Sequence, residues 1–185
     1  MIVLPRFENA SLDNYECTTD EQRRLVAVLR RGITCGFKRN VVILGSVGTG
    51  KTHLAFAVKN ALSEISLFRG RKFYSEDRCS YTTAKTLIDD IHLSWKEKDC
   101  ENPVNALTQV GLLILDEVGL SANERTELYE LVNARYERCK PMICISNNTP
   151  AELQNVLGQR IYDRISGGAE FFELSGTSYR QRGNA

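Results

Sequence analysis

The residues best suited to chemistry stand together at 45–52, as Gly45-Ser46-Val47-Gly48-Thr49-Gly50-Lys51-Thr52. Their spacing is G-x-x-x-x-G-K-[ST], which binds phosphate when it follows a strand and opens a helix. The glycines permit backbone angles that turn successive N–H groups inward as an anion nest. The start of a helix adds the positive end of its dipole. Lys51 is then placed to reach the β- and γ-phosphates of a nucleoside triphosphate, and the Thr52 hydroxyl to ligate Mg2+. His53 follows directly and joins the nucleotide-binding set by position, with packing in the first helical turn as its other reading. Such a loop needs a carboxylate on the metal side. Asp116-Glu117 supplies it, straight after the apolar run LLIL. Asp116 is placed to hold Mg2+ through water, and Glu117 to polarise the attacking water as a general base.

These residues need strands and helices to position them. Residues 41–44 (VVIL) form a short β-branched run that stops at Gly45, and Leu54, Ala55, Val58, Ala61, Leu62 and Ile65 then recur at helical spacing. A second strand is expected at 72–75. Thr82 or Thr83 caps a helix to about Lys98, with Leu87, Ile88, Ile91 and Trp95 on one face. The run 112–115 is apolar at every position, as in a central parallel strand covered on both faces. Residues 123–139 read as an amphipathic helix with Leu128, Leu131, Val132 and Tyr136 inward, stopped by Pro141. A buried strand (MICI, 142–145), a short helix after Pro150, a further helical stretch at 161–165 and a last strand (EFFEL, 170–174) follow. Strands alternating with helices predict an α/β domain with a mostly parallel central sheet.

The chain has 185 residues, 42% hydrophobic and 25% charged, which suits one globular domain and excludes a disordered or collagen-like chain. No run approaches the length of a membrane span, and the N-terminus lacks the basic region of a secretory signal. With 24 basic and 23 acidic residues the net charge is +1, which argues against a charge-driven nucleic-acid coat. Six cysteines show no CxxC spacing, and His53 and His92 lie far from any cysteine pair, so a zinc site is not expected. Free thiols point to a cytoplasmic protein. The polar residues 175–185 read as a flexible tail, fraying beyond Tyr179.

In order along the chain, GSVGTGKTH, LLILDEVG, ISNN and LGQRIYDRI resemble the AAA+ ATPases of the DnaC-type helicase loaders and the related IstB transposition ATPases. Phe7-Glu8-Asn9-Ala10 with Leu12-Asp13-Asn14-Tyr15 looks like the opening of that ATPase domain, and Ser178-Tyr179-Arg180 like the end of the loaders. The resemblance covers nearly the whole chain, so residues 1–185 are expected to form one AAA+ domain, with 1–20 near the adenine pocket. It implies ATP/ADP and Mg2+ as ligands. It makes Asn147 the sensor-1 residue that positions the lytic water, Arg164 the arginine finger offered to a neighbour's ATP, and Arg180 the sensor-2 arginine. Arg160, one helical turn before Arg164, is a second candidate on that edge. Internal salt bridges to Asp163 or Glu152 are the plain alternative for both arginines. Leu12 and Tyr15 are candidates for the adenine pocket.

Weak ATPase activity as a monomer, completed by self-association, follows from a finger acting in trans. The implied partners are a replicative helicase and single-stranded DNA, with no membrane role. Loaders also carry an N-terminal helicase-docking domain, which this chain is expected to lack. The stretch resembling their DNA-gripping insert, 77–98, offers Arg78, Lys85, Lys96 and Lys98 with Tyr81 and Trp95, although Trp95 falls on the apolar face and reads as core. A transposition ATPase, a regulatory nucleotide-binding module and a small-molecule kinase are the competing readings.

Overall fold

A computed structural model describes residues 5–63, 67–68, 71–72, 78–96, 102–119, 124–176 and 179. Its strands are β1 (Val41–Gly45), β2 (Leu67–Phe68), β3 (Arg71–Lys72), β4 (Cys79–Thr83), β5 (Leu112–Asp116), β6 (Met142–Ser146) and β7 (Glu170–Leu174). Five of them form one sheet in the order β4-β5-β6-β1-β7, and β2 and β3 pair separately. Every pairing in the large sheet is parallel. β6 lies between β1 and β5, so its tip separates the end of the glycine-rich strand from the end of the acidic strand.

The continuous apolar runs divide their side chains between two cores. Val41, Ile43, Leu112 and Ile114 join α1 (Asp20–Cys35) and α2 (Lys51–Ser63) on one face. Val42, Leu44, Leu113 and Leu115 face the other core. That side is covered by α3 (Ala84–Lys96), α4 (Pro103–Gln109), α5 (Glu124–Glu137), α6 (Pro150–Leu157) and α7 (Gln159–Ser166). Burial on both faces explains why the strands show no polar alternation. Local signals set the helix starts. Thr19 and Gln22 form a capping box at α1, Thr149 and Glu152 another at α6, and Asn102 caps α4 ahead of Pro103.

Three expectations change. The strand beside β5 is Cys79–Thr83; Lys72 pairs instead within the β2–β3 ribbon, and 73–77 lie outside the described residues. Thr83 is both the last strand residue and the cap of α3, its Oγ1 accepting from Thr86 N at 3.1 Å. The two threonines thus carry strand and cap signals at once. Trp95 is 66% exposed: Ala84, Leu87 and Ile91 are buried, and the apolar spacing runs one turn past the packed part of the helix. Its ring packs on His92 instead, with centroids 5.0 Å apart. Tyr136 is 56% exposed rather than inward. Lys98 lies outside the described residues. No helix among those described is long and apolar enough to cross a membrane.

Candidate functional site

The turn out of β1 requires glycine. Gly45 has φ 137°, and a Cβ there would stand 2.1 Å from the Leu174 carbonyl oxygen of β7. Gly50 has φ 90°, and its Cβ would meet the Tyr15 ring at 2.6 Å. The loop thereby folds over to start α2 at Lys51. Lys51 Nζ donates to Gly45 O at 2.6 Å and Ser46 O at 2.7 Å beneath the loop. Burial lowers its pKa to about 8, against the opposing pull of Asp116.

Asp116 is buried and organises the acidic strand's tip. Its Oδ2 accepts from Thr52 Oγ1 at 3.0 Å and from Tyr81 OH at 3.1 Å, and its Oδ1 from Glu117 N at 2.8 Å. Burial first, then the Asp116 charge, raises the Tyr81 phenol pKa, so Tyr81 remains a donor at neutral pH. Glu117 is exposed and takes φ 57°, the left-handed region that a non-glycine residue enters at a cost of roughly 1–2 kcal/mol. The turn beyond it is tied to β6. Val118 N donates to Ile145 O at 2.9 Å, Ser146 Oγ to Val118 O at 2.6 Å, and Asn148 Nδ2 to Gly119 O at 2.8 Å. Asn147 stands in the middle of this clamp.

A cavity of about 540 Å³ collects these groups. Val47, Gly48, Gly50, Lys51, Thr52 and His53 line one side, and Asp116, Glu117, Ser146 and Asn147 another. The remaining wall is the leading segment, with Phe7, Asn14, Tyr15 and Glu16, together with Tyr179. Asn60 Nδ2 on α2 donates to the carbonyls of Phe7, Glu8 and Ala10, which lays that segment along the helix. Tyr15 OH donates to Thr49 O at 3.1 Å, and His53 Nε2 lies 2.9 Å from Asn14 Oδ1 and 3.2 Å from Ser11 O. Two oxygen acceptors require the Nε2–H tautomer. Tyr179 N donates to Gly48 O at 2.9 Å, and its hydroxyl donates to Glu16 O.

Lys51, Thr52, His53, Asp116, Glu117 and Asn147 therefore meet in one place with Val47, Gly48 and Gly50 of the loop, whereas Gly45, Ser46 and Thr49 do not line the cavity. Leu12 does not line this cavity; it lines a separate one of about 370 Å³ beside Arg30 and Asn60. Arg164 and Arg160 also lie outside the cavity, on α7, and Arg180 lies outside the described residues. The sequence offers Tyr81 as an aromatic of the DNA-gripping stretch and Tyr179 within the closing Ser178-Tyr179-Arg180, not at this site, and does not single out Ser146 or Asn148; Tyr81 is buried here. The alternation in CSYTT could have found Tyr81, which pairs with Ile114 and so shares the face of Asp116 two residues on.

The family described as IstB-like ATP binding protein matches residues 2–185. The chain belongs to this family. This IstB-like chain is 29% identical to the insertion sequence IS5376 putative ATP-binding protein of Geobacillus stearothermophilus, over 93% of the chain and 68% of that relative. It is 27% identical to the replicative helicase loader DnaC of Escherichia coli K12, over 97% of the chain and 73% of the loader. It superposes with TM-score 0.73 and 25% identity on the replication initiator DnaA solved with AMPPCP and single-stranded DNA, covering 91% of the chain and 50% of DnaA. The chain thus spans about half of that initiator. Its parallel sheet, glycine-rich loop and flanking helices are those of a P-loop AAA+ domain.

Proposed function

We propose that this IstB-like chain binds ATP with Mg2+ and hydrolyses it as a switch of the helicase-loader type, acting on single-stranded DNA and a replicative helicase in the cytoplasm. The observation that carries the reading is the bond from Thr52 Oγ1 to Asp116 Oδ2 at 3.0 Å, which joins the glycine-rich loop to the acidic strand. A hydroxyl and a carboxylate oxygen side by side are a hard donor pair of the kind Mg2+ accepts. Thr52 and Asp116 would hold the ion, and its charge would offset that of the β- and γ-phosphates. Lys51 and the loop N–H groups bind the phosphates. Glu117 takes a proton from the attacking water, Asn147 orients that water, and Tyr15, His53 and Tyr179 wall the nucleoside. Arg164 completes a neighbour's site after self-association, and Arg180 contacts the phosphates of its own subunit. Residues 1–185 act as one ATPase domain, with 1–20 closing the nucleoside side and 175–185 as its tail.

The helicase part of the reading is supported by the DnaC relative, and the single-stranded DNA part by the DnaA complex. The described cysteines are all free, as a reducing compartment keeps them. A second reading has its own support: the insertion-sequence relative favours a transposition ATPase. ATP hydrolysis across protein concentration, with single-stranded DNA, duplex DNA and helicase added separately, tests both. Turnover that rises with concentration and responds to single strands or helicase supports the loader type. A response to duplex DNA alone supports the transposition reading, and concentration-independent, DNA-indifferent turnover rejects both.

A further inference from the structure

Among the described residues Arg164 on α7 meets no carboxylate. Asp163 Oδ1 instead accepts from Gln159 Nε2 at 2.6 Å, and Glu152 Oε2 accepts from Thr149 N and Oγ1 at 2.8 and 2.9 Å. The internal ion pairs weighed from sequence are therefore not formed. The guanidinium is nevertheless fixed. Its Nε donates to Asn133 Oδ1 at 2.8 Å and its Nη1 to Arg160 O at 2.9 Å. Its Cζ lies 5.3 Å from the Tyr129 ring centroid and 5.7 Å from that of Tyr136. Residues 129, 133 and 136 follow i, i+4, i+7 spacing, one stripe along α5. Asn133 Nδ2 donates to Glu137 Oε1 at 2.8 Å, which turns Oδ1 toward Arg164. Among the described residues nothing accepts from Nη2.

Every group in this cradle orients the cation without neutralising it. An amide oxygen, a backbone carbonyl and two aromatic faces carry no formal charge. A carboxylate in place of Asn133 would hold Arg164 as firmly but would cancel the charge that a phosphate needs. The surface is also open: Tyr136 is 56% exposed, and Arg160 is exposed beside it. A cationic edge of this kind complements the anionic mouth formed by bound phosphates, Asp116 and Glu117. We propose that Tyr129, Asn133 and Tyr136 are positioning residues that present the Nη2 edge of Arg164 to the nucleotide phosphates of a second copy of this chain. The proposal rests on the reading of Arg164 as a finger acting in trans.

The test uses the whole chain as wild type, Arg164→Ala, Asn133→Asp, Tyr136→Ala and Tyr136→Phe. Three quantities are read: kcat and KM for ATP at high protein concentration, thermal midpoint, and self-association by sedimentation with Mg2+ and a non-hydrolysable ATP analogue. Arg164→Ala should lower kcat by about 10³-fold, the low end for an arginine finger, with KM little changed. Asn133→Asp should lower kcat about tenfold or more and weaken analogue-driven association while changing the thermal midpoint little, since the new ion pair to Arg164 offsets the lost donor to Glu137 and the like charge set beside it. A merely structural Asn133 would not split kcat from stability in this way. Tyr136→Ala should lower kcat several-fold, and Tyr136→Phe, which keeps the ring face, should restore it. Mixing Asn133→Asp subunits with Lys51→Ala subunits, whose fingers are intact, should regain turnover. Normal turnover in Arg164→Ala would overturn the finger reading and the cradle together. A crippled Arg164→Ala beside normal Asn133→Asp and Tyr136→Ala, or no gain on mixing, would overturn the cradle alone.

Discussion

The two regions proposed for catalysis are built in opposite ways. At the C-terminal end of the sheet, backbone places the groups: Gly45 turns the chain, α2 starts at Lys51, and Glu117 sits in a left-handed turn clamped to β6. On the α5–α7 edge, side chains place Arg164, through Asn133 and the two tyrosines. Backbone placement gives a fixed site that a short spacing rule can describe. Side-chain placement gives an edge that a partner can meet, and its parts are scattered over two helices. The difference predicts where a substitution removes chemistry and where it removes only presentation.

The largest expected effect is at the fixed site. Glu117→Gln keeps the size and the left-handed turn but removes the carboxylate proposed as the base, so kcat should fall by about 10²–10⁴-fold with ATP affinity retained. Single-turnover hydrolysis and equilibrium nucleotide binding check this. Loss of both together would show that Glu117 organises binding, and the contrast with the α5–α7 edge would blur.

Next in size is a comparison inside α5 and α7 themselves. Among the described residues Arg135, like Arg164, forms no ion pair with a carboxylate, yet it is wholly buried. Its Nη1 donates to Leu107 O at 2.6 Å and Val110 O at 3.1 Å, and its Nη2 to Pro141 O at 2.7 Å, tying the end of α4 to the start of β6. Burial lowers its pKa to about 10. Pro141 O also accepts from Leu113 N at 3.4 Å, so Arg135→Ala strands the Leu107 and Val110 carbonyls at about 1–3 kcal/mol each, and a loss of at least about 2 kcal/mol in stability is expected. Arg164→Ala should cost about 1 kcal/mol, because its two hydrogen bonds and two ring contacts lie on a half-exposed edge where water replaces them. Urea unfolding of the two variants measures the difference directly. Equal losses would mean that Arg164 is a packing residue.

How much of this was legible follows the same division. The loop 45–52, Asp116, Glu117 and Asn147 were readable because their positions are short offsets from strand ends, and the strands themselves read as apolar runs. The role of Tyr81 was hidden because its strand is an edge strand with two threonines that also signal a cap. Arg135 was hidden because a helix full of charges gives no sign of which cation turns inward; its partners are carbonyls distant in sequence. Trp95 and Tyr136 were misjudged because periodicity reports a face of a helix, not how far the covering layer extends along it.

A smaller effect concerns pH. The Lys51 pKa of about 8 lies below its ordinary value, so the folded protein disfavours its charged form. That penalty is fully present below about pH 8 and fades as pH rises toward the unfolded value. Bound phosphates favour the charged form. ATP affinity should therefore be flat below about pH 8 and fall up to tenfold per pH unit above it, because binding must then take up a proton. Calorimetry in buffers of different ionisation heat reads that proton directly. Lys51→Arg should remove this linkage. A slope unchanged by Lys51→Arg would move its origin to another group.

The smallest expected effect tests whether the leading segment belongs to the fixed site or merely leans on it. Tyr15 OH donates to Thr49 O, inside the glycine-rich loop, and burial raises its pKa so that the donor proton stays in place. Tyr15→Phe keeps the ring against Gly50 and removes only this bond. A neutral hydrogen bond contributes about 0.5–1.5 kcal/mol, so a few-fold rise in the Kd for ATP is expected if the bond holds the loop in its binding shape. If the bond serves packing alone, stability falls by the same amount while affinity for the nucleotide does not. Measuring both quantities on one variant decides between them. A change in affinity would extend backbone placement to the wall that closes the nucleoside side, because the loop's own carbonyl is what Tyr15 grips.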